Sequence, residues 1–310
     1  MVRPFLIDCD TGTDDAIALA AAFGCPEIEV KAITSVNGNV AEKYVCQNNL
    51  DMAEYLGYSG PVCRGAVKPF HGSLHFSDGT HGRTGLGDVV LPQAKTKQFD
   101  PRLAPEMIHD AAVAEKGNLE ILATGPMTNL GIALLLYPDL PSLIRHIWFM
   151  GGAVYGGNVT TTAEFNIWVD PEAAQVVMQS GIPLTMVGLD VTLKACMDPE
   201  DEAELRKDGG RASLLTADLL DFMFQRHRAG GEAALMHDAL ALAAAVCPGC
   251  LQTEDYYVNV ECEGTYTRGH TAADVRHRSG KPANVSAAMK LDVEMFRHWL
   301  VQAVKNSRAQ

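Results

Sequence analysis

Residues 3–23 read RPFLIDCDTGTDDAIALAAAF, a stretch that places an acidic turn between an apolar run and an alanine-rich segment. The run Pro4–Asp8 predicts a strand, and Ala16–Phe23 predicts a helix. Gly12 permits a tight turn between them. A strand that leads directly into a helix is the unit of α/β folds.

The same alternation continues along the chain. Further strands are predicted at Val30–Ser35, Leu119–Ala123, Ile147–Met150 and Leu184–Leu189. Helices are predicted at Ala41–Leu56, Asn129–Leu136, Pro171–Gln179, Ala212–Arg226 and Ala233–Val246. Three more strands, at Tyr256–Val260, Tyr266–Thr271 and Asn284–Lys290, precede a final helix. We therefore expect one α/β domain over residues 1–310, with an open, mostly parallel sheet flanked by helices.

Composition and charge exclude several classes of protein. The 310 residues are 47% hydrophobic, which suits a globular core. The net charge of −13 argues against nucleic-acid binding, because a protein that neutralises phosphates should be basic. No apolar run approaches the roughly 20 residues of a membrane span, and no secretory signal precedes Asp8. The eight scattered cysteines are then expected to be reduced thiols, and the protein cytoplasmic.

The acidic turn is the strongest functional signal. It carries four carboxylates within eight residues, at Asp8, Asp10, Asp14 and Asp15, and no Lys or Arg. Two carboxylates about 4 Å apart repel by roughly 4 kcal/mol at an effective dielectric constant of about 20. A bound cation would relieve this repulsion, and oxygen ligands favour Ca²⁺ or Mg²⁺. The alternative is a set of capping and loop carboxylates that face water.

Three other motifs carry polar groups suited to a ligand, although each also has an ordinary structural explanation. His237-Asp238 heads an alanine-rich segment, where His237 is either a general acid or structural. Asn158, Glu164 and Asn166 could bind sugar hydroxyls or satisfy their own loop. The turn after Ala123 could expose the carbonyl oxygen of Thr124, which is a suitable ligand for a hard cation.

These motifs are expected to converge on one crevice. Asp10, Asn39, Thr124 and Met150 each follow a predicted strand. Ligands of open parallel sheets bind at the carboxyl ends of the strands.

Two segments have a distinct composition. Gly65–Gly87 is rich in Gly and His and predicts either a lid over a site or a partly disordered loop. Cys247-Pro-Gly-Cys250 follows the end of a predicted helix, where the dipole does not activate a thiol, and is interpreted as a turn.

The motifs together resemble the inosine–uridine preferring nucleoside hydrolases. DCDTGTDDA, at residues 8–16, is similar to the DxDxGxDD signature of that family. The likeness continues in order through AITSVNGN, ATGPMTNL, FMGGA, GNVTTTAEFNIWVDPEAA, MVGLDVT and MHDAL. It covers almost the whole chain and implies Ca²⁺-dependent hydrolysis of ribonucleosides to ribose and free base by a homodimer or homotetramer.

The resemblance also implies roles for individual residues. The Ca²⁺ ligands would be Asp10, Asp15, the Thr124 carbonyl and Asp238. Asp10 would take a proton from the attacking water, and His237 would protonate the departing base. The substrate would be bound by Asp14, Asn39, Met150, Asn158, Glu164 and Asn166.

One departure from the family bears on the base. Relatives that protonate purines with tyrosines carry them on the helix before the HD motif, whereas this stretch reads DFMFQRHRAGG at residues 221–231. The absence of tyrosine favours pyrimidine nucleosides, with Gln225 or His81 as candidate hydrogen-bonding partners of the base.

Two rival functions remain open at the level of sequence. LIDCDTGT is superficially similar to the DxDxT strand end of haloacid-dehalogenase-like phosphatases, in which Thr124 and Lys194 would have to complete the site. A protein of the same fold that binds Ca²⁺ or a nucleoside without turnover is the non-enzymatic alternative.

Overall fold

A computed structural model describes residues 2–77, 79–231 and 233–307. Its strands are β1 Arg3–Cys9, β2 Ile28–Ser35, β3 Val62–Cys63, β4 Leu119–Ala123, β5 Ile144–Met150, β6 Leu184–Val187, β7 Leu251–Tyr256, β8 Val258–Val260, β9 Thr271–Ala273 and β10 Val285–Leu291. Its helices are α1 Thr13–Ala22, α2 Glu42–Leu56, α3 Ala104–Ala114, α4 Thr128–Leu136, α5 Phe165–Val169, α6 Pro171–Met178, α7 Leu189–Thr192, α8 Pro199–Asp208, α9 Arg211–Arg228, α10 His237–Val246 and α11 Val293–Asn306.

Eight of the strands form one sheet in the order β3-β2-β1-β4-β5-β6-β10-β7. Neighbouring strands are parallel except β10 and β7, which are antiparallel. The predicted α/β fold with an open, mostly parallel sheet is therefore confirmed. In the register of this sheet Asp8 lies opposite Thr34 of β2 and Ala123 of β4, so the carboxyl ends of three central strands lie side by side.

Helices cover both faces of the sheet because the central strands are apolar on both sides. Phe5 and Ile7 of β1 pack into a core with helices α1, α2, α9, α10 and α11. Leu6 points the other way, into a second core with α3, α4 and α6. The two-residue period of a strand thus divides β1 between two cores, and residues 5–9 of the strand are buried.

Several predicted boundaries are wrong in instructive ways. The helix predicted from Ala233 begins only at His237, because the backbone before it pairs with another segment: Met236 N donates to Ala195 O and Met197 N to Ala234 O. Residues 265–269 form turns, and the strand nearby is β9, which pairs with β8. The turn interpretation of Cys247–Cys250 agrees with a hydrogen bond from Cys250 N to Cys247 O.

The long connection from β3 to α3 lies against the carboxyl end of the sheet. Its segment Gly65–Gly87, described except for residue 78, is held to the fold by backbone and side-chain hydrogen bonds. Ser77 N donates to Asn39 O over 3.2 Å, and Asn48 Nδ2 donates to Thr84 O over 2.7 Å. The described part of the segment therefore forms a wall of the site, and its interpretation as a lid stays a prediction. None of the described helices is long and apolar enough to cross a membrane.

Candidate active site

The candidate site lies where the chain changes direction across the sheet. Beyond β1 the chain proceeds to β2 and β3 on one side, and it later returns to β4 on the other. Such a switch point leaves a crevice at the carboxyl ends of the two strands. Here the crevice is a cavity of about 540 Å³. It is lined by residues of both strand ends, of Gly65–Gly87, of residues 158–168 and of helices α9 and α10.

Four carboxylates are buried at the floor of this cavity. Asp14 and Asp15 stand in the first turn of α1, and Asp238 stands in the first turn of α10, which packs against α1. Each of these three side chains offers an oxygen within 4.8 Å of the others. Asp10 follows β1 and is buried beneath the floor, where its Oδ2 accepts a hydrogen bond from Asn39 N over 2.7 Å.

This acidic floor is electrostatically unfavourable without a counterion. Burial, followed by the charge of Asp15, raises the pKa of Asp10 well above its usual range and that of Asp14 to about 7. Burial, followed by the neighbouring carboxylates, also raises the pKa of Asp238. Among the described residues, Asp10 Oδ1 and Asp14 Oδ1 have no hydrogen-bond partner. A buried set of oxygen ligands with unsatisfied atoms fits a hard divalent cation.

Thr124 adds oxygen atoms to the same place. Its hydroxyl donates to Asp15 Oδ1 over 2.7 Å, and its carbonyl accepts a hydrogen bond from Asn166 Nδ2 over 2.7 Å. A carbonyl oxygen has two lone pairs, so this contact leaves one for a cation. Asp15 is further oriented by Gly12 N and by Asn39 Nδ2, both of which donate to its Oδ2.

Asp8 does not belong to the floor, although it lies in the same acidic motif. Its Oδ1 accepts hydrogen bonds from Thr34 Oγ1 over 2.6 Å and from Asn129 Nδ2 over 2.7 Å. These contacts tie the ends of β1 and β2 to α4, and the side chain does not line the cavity. The cluster therefore lacks Asp8 of the acidic turn but contains Asp238, which the resemblance implies as a cation ligand.

One wall carries the residues predicted to bind a sugar. Glu164 is buried and accepts hydrogen bonds from Gly152 N, Asn166 N and Ile167 N. Burial raises its pKa to about 7, although these N–H groups act in the opposite direction. Asn166 also donates to Met150 O over 3.2 Å, whereas Asn158 is exposed at the rim and accepts from Phe165 N. Carboxylate and amide groups thus face the cavity from fixed positions.

Two imidazoles also line the cavity. His81 is buried, and its Nδ1 accepts hydrogen bonds from Thr13 N over 3.1 Å and from Thr13 Oγ1 over 3.0 Å. Burial and the charge of Arg226 lower the pKa of His81 to about 3 and that of His237 to about 4. Both rings are therefore neutral at pH 7, and each keeps one N–H for donation to a ligand.

The structure places Gln225 outside the cavity. It is exposed on the outer side of α9, where its Nε2 donates to Asp221 Oδ2 over 3.0 Å. The expectation that Gln225 contacts the base is therefore wrong. Successive residues of a helix point about 100° apart, and the next residue, Arg226, faces the cavity instead. Met150, Asn39 and His81 line the cavity as expected.

Sequence reasoning missed an aromatic and apolar rim. Leu74, His75 and Phe76 of the long connection line the cavity together with Trp168, whose ring centroid lies 4.5 Å from that of His75. These are exposed or partly exposed apolar groups within a segment that has no periodic pattern. The concentration of aromatic residues next to Gly and His was the available signal.

The phosphatase alternative lacks its cationic group. Lys194 does not line the cavity, and its Nζ donates to Asp190 O over 2.6 Å at the surface. The site is instead a buried carboxylate floor with a polar wall and an aromatic rim. These features define an α/β protein with a cation-binding ligand crevice at the switch point of its sheet.

Comparisons with known proteins agree with that class. A family model described as inosine-uridine preferring nucleoside hydrolase matches residues 5–298. The pyrimidine-specific ribonucleoside hydrolase RihA of Escherichia coli O81 (strain ED1a) is 40% identical over 311 residues, covering 98% of this chain and 99% of the relative. The chain belongs to the inosine–uridine preferring nucleoside hydrolase family and is an enzyme, a nucleoside hydrolase.

Solved structures share the whole fold. The purine-preferring ribonucleoside hydrolase from Gardnerella vaginalis is similar with a TM-score of 0.92 and 31% identity, covering 99% of each chain. The plant nucleoside hydrolase PpNRh1 is similar with a TM-score of 0.90 and 27% identity, covering 98% of this chain and 99% of the other. These likenesses extend over every element that supports the cavity.

Proposed function

We propose that this enzyme is a Ca²⁺-dependent hydrolase of the N-glycosidic bond of ribonucleosides, with a preference for pyrimidine bases. The observation that carries the proposal is the cluster of Asp14, Asp15 and Asp238, from which Asp14 and Asp238 line the same cavity as Glu164 and Asn166. A cation and a polyhydroxylated sugar are the ligands whose chemistry matches these two surfaces.

Asp10, Asp15, Asp238 and the carbonyl of Thr124 would hold the cation, and Asp14 would accept hydrogen bonds from the ribose diol. When bound, Ca²⁺ supplies a Lewis acid that polarises water and hydroxyl groups. Asp14 lines the cavity, whereas Asp10 and Asp15 lie behind it, so the sugar is expected above Asp14.

Asp10 is the candidate base for the attacking water. Its Oδ2 is fixed by Asn39 N, and its Oδ1 has no hydrogen-bond partner among the described residues. The fixed oxygen orients the carboxylate, and the other oxygen can accept a proton.

The sugar wall suits an oxocarbenium-like transition state, in which positive charge develops on the ribosyl ring. Glu164 brings a carboxylate to this wall, and its backbone contacts prevent it from turning away. Asn166 is held equally firmly by Thr124 O and Met150 O. Oriented groups of this kind stabilise developing charge without reorganising during the reaction.

His237 is the candidate acid for the departing base. It lines the cavity next to Asp238, and its Nδ1 has no hydrogen-bond partner among the described residues. As a neutral imidazole it can donate one N–H to a leaving base, and protonation during the reaction would make it a general acid.

Two observations support the preference for pyrimidines. The relative that is 40% identical is named as pyrimidine-specific, whereas the purine-preferring enzyme from Gardnerella vaginalis is 31% identical. In addition, the cavity side of α9 presents Met223 and Arg226 and no tyrosine.

The test is a reducing-sugar assay over uridine, cytidine, inosine and adenosine, before and after prolonged chelation and after Ca²⁺ is restored. We expect ribose release that is fastest with uridine or cytidine, lost on chelation and regained with Ca²⁺. Equal or faster turnover of purines would overturn the base preference, and no ribose from any nucleoside would overturn the activity. The cytoplasmic location and the homodimeric or homotetrameric assembly stay predictions.

A further inference from the structure

Thr271 is a buried residue to which neither the sequence motifs nor the proposed mechanism gives a role. It begins β9, in the separate two-stranded sheet with β8, and it does not line the cavity. Its Oγ1 accepts a hydrogen bond from Ala153 N over 2.9 Å and donates one to Ala153 O over 2.5 Å. A hydroxyl is both donor and acceptor, so one side chain satisfies both backbone groups of a residue 118 positions earlier in the chain.

Ala153 needs such a partner because it lies beyond the main sheet. β5 ends at Met150, which pairs with Val187 of β6. Gly152 and Ala153 then form a turn in which Gly152 has a φ of +70°. Buried backbone groups that leave a sheet must find other hydrogen-bond partners. The hydroxyl of Thr271 supplies them here in place of a neighbouring strand.

The same turn holds Glu164 of the sugar wall. Gly152 N donates to Glu164 Oε2 over 2.9 Å, and Glu164 lines the cavity. Thr271 also lies close to Gly152, since a Cβ on Gly152 would be 2.8 Å from Thr271 Cγ2. Because Gly152 and Ala153 are adjacent in one turn, movement of Ala153 away from Thr271 would also move the N–H that fixes Glu164.

The segment before Thr271 is itself fixed against the sugar wall. His270 Nδ1 donates to Thr162 O over 3.0 Å. Gly269 lies so close to Trp168 that a Cβ on Gly269 would be 2.7 Å from Trp168 Cα. The hydroxyl of Thr271 is therefore presented to Ala153 from a segment that is anchored to the same wall.

We propose that Thr271 is a positioning residue, whose hydroxyl holds the turn of Gly152 and Ala153 so that Gly152 N keeps the Glu164 carboxylate directed at the ribose. The inference rests on the proposed function, in which Glu164 stabilises positive charge on the ribosyl ring. A fixed carboxylate does this without reorganising during the reaction, whereas a loosened one has to be reoriented. The loss should therefore appear in kcat more than in KM.

A purely structural role for Thr271 makes a different prediction. Thr271→Val keeps the shape of the side chain and removes the hydroxyl, whereas Thr271→Ser keeps the hydroxyl and removes the methyl group. If Thr271 served only to pack the fold, both substitutions would lower the Tm and leave the kcat of the folded enzyme unchanged. If the hydroxyl positions Glu164, kcat should follow the hydroxyl.

The experiment measures kcat and KM of wild type, Thr271→Val and Thr271→Ser on uridine with excess Ca²⁺. We expect Thr271→Val to lose about 10²-fold in kcat with little change in KM, as misplacement of a catalytic group by about 1 Å can cost. Thr271→Ser should keep most of the wild-type kcat. An unchanged kcat in Thr271→Val would overturn the inference. So would a loss in Thr271→Ser as large as the loss expected for Thr271→Val, whether or not the valine variant folds.

A double-mutant cycle tests whether Thr271 acts through Glu164. In a Glu164→Ala background Gly152 N has no carboxylate to hold, so Thr271→Val should cost less than about 3-fold there. Losses that multiply would overturn the inference while leaving the proposed function intact. Full activity of Glu164→Ala, or a wild-type enzyme that releases no ribose from uridine, would instead refute the proposed function.

Two controls distinguish positioning from general damage. Ca²⁺ should raise the Tm of Thr271→Val as it does that of wild type, and a variant that Ca²⁺ no longer stabilises would overturn the inference. The matched variant is Thr192→Val in α7, because Thr192 is buried and its Oγ1 has no hydrogen-bond partner among the described residues. Thr192→Val should keep the wild-type kcat. A loss as large as that in Thr271→Val would show that removal of any buried hydroxyl has this effect, and would overturn the inference.

Discussion

The backbone N–H of Thr13 donates a hydrogen bond to Nδ1 of His81 over 3.1 Å, and this contact joins the first turn of α1 to the long connection after β3. Because Nδ1 is an acceptor here, the neutral ring carries its proton on Nε2. The N–H of Thr13 has no partner within the helix, since it lies in the first turn. A capping interaction therefore also fixes the tautomer and position of an active-site imidazole.

Gly12→Ala is predicted to break this arrangement. A Cβ on residue 12 would lie 2.5 Å from His81 Nδ1 and 2.8 Å from Asn39 Nδ2, and such distances force both side chains to move. The backbone of Gly12 has a φ of −96°, which alanine can adopt, so the fold should persist. We expect kcat/KM on uridine to fall about 10²-fold, as misplacement by about 1 Å can cost.

A double-mutant cycle separates this effect from general damage. In a His81→Ala background the methyl group of Gly12→Ala has no ring to displace, so the second substitution should cost much less than it does in wild type. Activities of the four proteins on uridine provide the measurement. Additive losses in the double variant would show that Gly12 acts through something other than His81.

His237→Ala is predicted to impair the departure of natural bases. The ring lines the cavity, and general acid catalysis, the role proposed for it, contributes about 10²–10⁴-fold. We expect a loss in that range with uridine and inosine, and nearly full activity with 4-nitrophenyl riboside. Steady-state rates on these substrates check the prediction, and full activity on uridine would refute the role of His237 at the leaving group.

Glu164→Gln is predicted to change how stability depends on pH. Burial raises the pKa of Glu164 in the folded state to about 7 from a usual value of 4.5, so between these two pH values the folded state binds more protons than the unfolded state. Stability from this group is therefore present at low pH and is lost as the pH rises toward about 7. The free energy of unfolding, measured by urea titration with excess Ca²⁺ at several pH values from 4.5 to about 7, should show this loss in wild type but not in the variant.

Glu54 offers a matched control with the opposite sign. Its carboxylate also accepts backbone N–H groups, from Lys95, Thr96 and Lys97, but it is only half-buried, and these hydrogen bonds lower its pKa to about 2. Stability from Glu54 is therefore present above its usual pKa of 4.5 and is lost as the pH falls toward about 2. Glu54→Gln should change the dependence of stability on pH only below about pH 4.5. A Glu164→Gln profile parallel to that of wild type would contradict the prediction.

The sequence predicts which strand-end residues meet at the site better than it predicts which residues of α9 face the cavity. Asp10, Asn39 and Thr124 could be placed together because a parallel sheet brings its carboxyl strand ends to one edge, as the register of β1 with β2 and β4 shows. The roles of Gln225 and Arg226 were not predictable in this way. They are neighbours on one helix, and which of them faces the cavity depends on how α9 is rotated in the packed core.

Long-range contacts explain the other differences. Asp8 shares a strand face with Asp10, and pattern alone could not reveal that Asn129 and Thr34 satisfy its carboxylate. The rim of His75 and Trp168 joins two segments that lie 93 positions apart, neither of which has a periodic apolar pattern. Turn chemistry and strand ends are local properties, whereas such pairings emerge only when the segments are packed together.

Asp238→Asn is predicted to abolish activity while stabilising the metal-free protein. Asp238 is buried among Asp10, Asp14 and Asp15, and burial together with these charges raises its pKa. Chelated wild type can escape the repulsion between these carboxylates only by taking up protons, whereas an amide carries no charge, so the gain in stability should increase as the pH rises. We expect the Tm of the chelated variant to exceed that of chelated wild type by a few degrees, and Ca²⁺ to raise the Tm of wild type alone.

Asp8→Asn is the control, because Asp8 is equally buried but its charge is satisfied by Thr34 and Asn129. An amide there loses charge-assisted hydrogen bonds and relieves little repulsion, so its Tm should fall with or without Ca²⁺. If the Tm of chelated Asp238→Asn also lies below that of chelated wild type, repulsion among the buried carboxylates does not destabilise the metal-free protein. A higher Tm in chelated Asp238→Asn and a lower Tm in Asp8→Asn would show that the carboxylates suited to a cation destabilise the protein without it.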